Sequence, residues 1–166
     1  MKRLGICLTG LFLLSFSCLF AKDEKQDFSQ TKISWDGPPE YEIELIECEG
    51  STYTSIVYLK FAVTHNLAHQ YLHIEGNMAY DKAGNEYYVT LYGYKSSLGS
   101  SFFSNIDRII KTNTRSIINV KVDTKRKIDK FDTLKLGIRV NKPYYSRDSY
   151  NLEFINLPIE WKFINF

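Results

Sequence analysis

The run SIVYLKFAVT at residues 55–64 sets Val57, Leu59, Phe61 and Val63 on one side of an extended chain and Ile56, Tyr58, Lys60 and Ala62 on the other. Side chains alternate faces in this way only in a β-strand, so the period of two predicts a strand whose first set lies in a core. The signature recurs down the chain. YEIELIECEG, residues 41–50, alternates Tyr41, Ile43 and Leu45 against Glu42 and Glu44, then changes phase at Leu45-Ile46, which predicts a half-buried strand with a bulge. RSIINVKVD turns Ile118, Val120 and Val122 inward, and DTLKLGIRVN does the same with Leu134, Leu136, Ile138 and Val140. Asp81-Lys82-Ala83-Gly84-Asn85 reads as a turn with Gly84 at positive φ, joining Met78–Tyr80 to Glu86–Tyr92 as a hairpin. In YNLEFINLPIEWKF, Pro158 has no N–H for a ladder, so it places that strand at an edge or divides it in two. Beyond the N-terminal apolar run no segment carries a helical period. The expectation is therefore all-β: an antiparallel β-sandwich of about seven or eight short strands.

Before these strands the chain has the three parts of an export signal. Lys2 and Arg3 are positive, Leu4 to Phe20 is uncharged and mostly apolar, and Ala21 offers a small residue at a cut site. Gly5, Gly10, Ser15 and Ser17 interrupt a run already short of the roughly 20 apolar residues of a membrane span. Lipid attachment at Cys18 is the competing fate. Ser15, however, stands where an aliphatic residue belongs, and Leu19 and Phe20 carry the apolar run past the cysteine, so cleavage after Ala21 is favoured. The domain plan is a signal peptide at 1–21, a tether at 22–39 in which Ile33 and Trp35 could form a short edge strand, and one sandwich at 40–166. Removing Lys2 and Arg3 leaves 19 basic against 19 acidic residues, so the excess of +2 belongs to the signal and speaks for no nucleic-acid partner. Cys7 and Cys18 leave with it. Cys48 alone remains, no internal disulfide can form, and stability rests on the core.

The order VYLKFAVTHN, MAYDKAGNEY, TLKLGIRV and LEFINLPIEW resembles the immunoglobulin-like domains of small exported and lipid-anchored bacterial proteins, most of them functionally uncharacterised. In those domains an apolar strand ends in a Thr/Asn turn, an Asp-x-x-Gly-Asn-x-Tyr hairpin follows, and an Asn-x-Pro-Ile strand closes the sandwich. The resemblance spans roughly residues 40 to 163 and implies an immunoglobulin-like fold; it carries no active-site signature.

Candidate chemistry is sparse. HNLAHQYLH holds His65, His69 and His73, whose spacing would align three imidazoles on a helix. The segment follows one strand and precedes another, so the expectation is of surface histidines: His65 and His69 flanking a turn, His73 facing outward, and no metal. Cys48 sits between Glu47 and Glu49, which raise a thiol pKa, so it reads as structural. Ser29-Gln-Thr-Lys32 matches a nucleophile pattern by chance, within the tether. No nucleophile elbow, P-loop or dinucleotide fingerprint occurs, and no catalytic, metal or cofactor residue is assigned.

Charge and aromatics say more. Residues 22–107 carry six basic and 13 acidic residues, whereas 108–142 carry 11 basic and three acidic, with Lys121, Lys125, Arg126, Lys127 and Lys130 about one turn. Such density either presents a patch to an anionic surface or pairs across the sheet with the acidic EIELIECE strand. In KPYYSRDSY, Tyr144, Tyr145 and Tyr150 with Arg147 fall at one end of the sandwich. Those rings either contact a ligand such as a sugar or pack over the sandwich end. The functional expectation is an exported, non-enzymatic binding or accessory domain of a bacterial cell envelope, with a glycan or envelope protein as partner and membrane contact only through lipid on Cys18. The alternative is a glycan-active hydrolase using two carboxylates.

Overall fold

A computed structural model describes residues 26–92, 105–141 and 149–163. The stretch read as an export signal, with Cys18 and Ala21, lies outside them, as does most of the loop-like stretch 93–105. The described residues form ten strands: β1 (Lys32–Trp35), β2 (Tyr41–Ser51), β3 (Ile56–His65), β4 (Gln70–Tyr80), β5 (Glu86–Tyr92), β6 (Asn105–Ile110), β7 (Ser116–Asp123), β8 (Lys130–Val140), β9 (Tyr150–Pro158) and β10 (Glu160–Lys162). Among these residues there is no helix. The strands make one sheet in the order β1-β9-β8-β4-β5-β7-β3-β2-β10, with β6 paired to β4 off that path. Pairing is antiparallel except where β10 runs parallel to β2.

The sheet curls back on itself. Glu86 to Tyr88 pair with β4, whereas Val89 to Tyr92 pair with β7, so β5 passes from one half of the sheet to the other. Phe61 of β3 and Phe154 of β9 stand five places apart in the strand order, yet their ring centroids are 5.3 Å apart. One apolar face is thereby enclosed. Val57, Leu59, Phe61 and Val63 of β3, Ile118, Val120 and Val122 of β7, and Leu134, Leu136 and Ile138 of β8 are all buried there, as alternation required. Val140, expected with them, is half-buried, because β8 ends at that residue and Asn141 turns the chain at φ 52.

Local chemistry accounts for the interruptions. The phase change in β2 is a register shift between Leu45 and Glu47 against β3. Gly84 has φ 78, the left-handed conformation that its turn demands. Pro158 ends β9, Ile159 donates its N–H to the Asp129 carbonyl at 3.0 Å, and the chain resumes as β10. A Cβ on Gly50 would lie 2.5 Å from the Trp161 ring, so the glycine lets β10 approach β2 closely. Beside that pair the Gln26 carboxamide takes the place of a strand: its Oε1 accepts from Cys48 N at 2.9 Å and its Nε2 donates to Cys48 O at 3.1 Å. Thus β1 and Gln26, both inside the stretch read as a tether, belong to the fold.

Candidate functional site

The side of β5 and β7 turned away from the core holds a shallow groove of about 390 Å³, lined by Glu86, Tyr87, Tyr88, Thr90, Lys121, Asp123 and Lys125. Alternation builds it. Tyr87, Val89 and Leu91 of β5 point into the core, which leaves Glu86, Tyr88 and Thr90 on the opposite face. Thr90 is in register with Lys121 of β7, and its hydroxyl donates to the Lys121 carbonyl at 3.0 Å. The far wall comes from the turn after β7. Asp123 Oδ1 accepts the Lys125 N–H at 3.0 Å and Lys125 takes φ 55, a tight Asx turn that lifts its side chain beside the groove. Tyr88 remains 79% exposed, a whole aromatic ring left in water beside two carboxylates and two ammonium groups.

A clip on Asp81 fixes this geometry. Its carboxylate accepts from Ala83 N at 2.9 Å, from Asn85 N at 2.9 Å, from the Asn85 amide, from the Tyr87 hydroxyl at 2.8 Å and from Arg126 Nη2 at 3.0 Å. Burial pushes that carboxyl up, but the donors from Asn85, Tyr87 and Arg126 outweigh it and hold Asp81 well below the usual carboxylate range. The hairpin, the root of β5 and the turn carrying Lys125 are therefore tied to one charged group.

The histidines correct the surface reading. His65 is buried, and its Nε2 donates to the Ile110 carbonyl at 2.9 Å while its ring packs 5.2 Å from Tyr41. His73 lies on the face opposite Leu72 and Ile74, as alternation required, yet it is 1% exposed. Its Nδ1 is 2.6 Å from Asp107 Oδ1 on β6 and its Nε2 is 3.2 Å from Glu75 Oε1, which Arg139 Nη1 also meets at 2.8 Å. Asp107 feels burial, which raises its carboxyl, but the bonds from His73 and Tyr71 prevail and lower it. Only His69 is exposed. Both nitrogens of His73 face carboxylates, so the cluster ties β6 to β4 and leaves the ring no open position for a substrate.

Of the four residues singled out as ligand contacts, Tyr144, Tyr145 and Arg147 lie outside the described residues. Tyr150 opens β9 and sets its ring against Trp35 at 5.6 Å, edge to face, with Trp35 Nε1 donating to the Pro38 carbonyl at 3.0 Å. Cys48 is fully buried, and burial, then Glu49, pushes its thiol far up. Part of the basic segment is paired: Lys135 with Glu153 at 3.0 Å and Arg139 with Glu75 join neighbouring strands, Arg126 meets Asp81 between turns, and Arg115 reaches the acidic strand, at Glu44, 2.8 Å away. The acidic strand draws its other partners from elsewhere, Glu47 from Lys60 and Glu49 from Lys162. Tyr88 escaped the sequence reading, although an aromatic on the polar side of EYYVTLY was its visible sign. No protein-family model matches the chain, and no curated protein matches it.

Proposed function

We propose that the chain is an exported immunoglobulin-like β-sandwich of a bacterial envelope that binds a glycan, without catalysis, in the groove around Tyr88. The curled sheet and its strand-switching β5 support the sandwich reading. The observation that carries the function is the exposed Tyr88 ring, flanked by Lys121 and Lys125 as donors and by Glu86 and Asp123 as acceptors. A pyranose presents C–H groups on one face and hydroxyls at its rim, which matches an aromatic floor with mixed polar walls. Binding of residues 22–166 to a glycan array tests this. Tyr88→Ala should weaken capture by about tenfold or more while melting with the parent chain. Retention of full binding by that variant would remove the groove from the function.

Glu86 and Asp123 in one groove are also what the hydrolase reading needs. Release of reducing ends from a captured polysaccharide, abolished by Glu86→Gln or Asp123→Asn, would replace binding with catalysis.

A further inference from the structure

The curl brings the two ends of the strand order together without joining them. At one point the ring centroids of Trp35, in β1, and Tyr41, in β2, lie 6.2 Å apart. At another the Gln26 carboxamide bonds both Cys48 of β2 and, at 3.3 Å, the carbonyl of Pro158 in β9. Between these ties no described strand pairs with the outer edge of β2, because β10 accompanies it only at Glu49, Gly50 and Ser51. Ile33 of β1 and Ile43 and Leu45 of β2 pack against the core here yet stay half-buried, so the apolar interior is open along this seam.

The backbone of the seam is unfinished in the same way. Cys48 turns its N–H and C=O away from β3, toward Gln26. Its partner on β3 is Leu59, two residues from Phe61, the partner of Leu45. Leu45 therefore presents its peptide groups outward as Cys48 does, despite the bulge between them, and Ile43 follows by alternation. Among the described residues nothing bonds the outward N–H and C=O of Ile43 and Leu45. The other face of this stretch is acidic. Glu40, Glu42 and Glu44 are exposed; Glu44 meets Arg115, and among the described residues no cation pairs with Glu40 or Glu42. A second copy laid edge to edge would set these glutamates against their own kind, which opposes that pairing.

We propose that this edge takes an extended segment of a partner protein in which apolar and basic residues alternate, laid antiparallel beside β2 as an added strand. The peptide groups of Ile43 and Leu45 continue the ladder. The apolar side chains of the segment enter the seam over Ile33, Ile43 and Leu45, and its basic side chains fall on the opposite face beside Glu42 and Glu44. Two strands, β7 and β3, separate β2 from β5, so this edge is independent of the groove around Tyr88.

Fluorescence anisotropy with a labelled peptide alternating valine and lysine tests this, on the chain from Lys22, which retains every described strand. That peptide should bind about tenfold or more tighter than one alternating valine and glutamate, and than its own copy N-methylated at the valines, which has no N–H to offer β2. Ile43→Pro removes an outward N–H at an edge, where proline is tolerated, and should weaken binding by about tenfold or more. Glu42→Lys/Glu44→Lys should reverse the preference toward the valine–glutamate peptide, and Tyr88→Ala should bind as the parent does. The Ile43 and Leu45 amides should exchange freely in the chain alone and slow when the valine–lysine peptide is added. No binding of that peptide, equal binding of its N-methylated copy, undiminished binding by Ile43→Pro, an unreversed preference or a loss in Tyr88→Ala overturns the proposal. So does slow exchange of those amides before peptide is added, which gives the edge to another part of this chain, or a dimer dispersed by Ile43→Pro, which gives it to a second copy.

Discussion

Truncating Phe61 to alanine removes a ring with no exposed surface from the middle of β3, between Leu45 of β2 and Ile118 of β7. Loss of its burial together with the cavity left behind should cost about 3–5 kcal/mol. A domain of this size has about 5–15 kcal/mol of total stability, so the variant should melt far below the parent or express poorly. Lys60, one residue earlier, points to the other face and pairs with Glu47; an ion pair this open to water is worth about 0–1 kcal/mol, so Lys60→Ala should change little. Urea denaturation of both variants reads the register of β3, because a slip by one residue exchanges the two faces. The curl adds a sharper test. Phe61 touches Phe154 from the far side of the sheet, so a double-mutant cycle between them should show a coupling of about 0.5–1.5 kcal/mol. Greater damage from Lys60→Ala would refute the strand register, and strict additivity of the two phenylalanine truncations would refute the facing of β3 and β9.

Asp81→Asn should cost about 1.5–3 kcal/mol at neutral pH through its weakened charged hydrogen bonds. Because the folded carboxyl is held below its unfolded value of about 3.9, its stabilisation is complete above that value and lost as pH falls through the folded one. Melting temperatures of parent and variant should therefore converge only in strong acid, and convergence already near pH 5 would contradict the clip. Cys48 should resist a thiol reagent in the native chain and react on unfolding; rapid modification of the folded protein would place the sulfur elsewhere. Intact mass from the producing cell should give a chain starting at Lys22, and an acylated fragment starting at Cys18 would overturn that cut site.

The strands that alternate strictly were legible in advance, because burying one face of a sheet dictates every second side chain. β3, β7 and β8 are such strands. β6 was hidden: its Ile109 is 67% exposed beside the buried Ile110, so the six-residue segment NIDRII shows no clean period, and its place is set by pairing with β4. β10 was one of the two outcomes read from Pro158, whose nitrogen has no hydrogen to give a ladder: β9 ends there and the chain resumes as β10. His73 shows another limit. Its face was readable from β4, but its burial depends on Asp107 and Arg139 on flanking strands, and sequence distance conceals both. The groove escaped for the same reason, since Tyr88 meets Lys121 and Asp123 only through the register of β5 on β7.

That β5 serves both halves of the sheet bears on how the domain comes apart. A sheet folded over by a loop can lose one half while the other persists, but here both halves end on one seven-residue strand, Glu86 to Tyr88 pairing with β4 and Val89 to Tyr92 with β7. Melting either side strips hydrogen bonds from the strand that completes the other, so neither half is a separable cooperative unit. The domain should unfold in one transition, with hydrogen exchange in β8 and in β3 reporting a common opening free energy. A linkage of this kind makes the β4–β5 hairpin, far from either edge of the sheet, the point where a single lesion releases the whole.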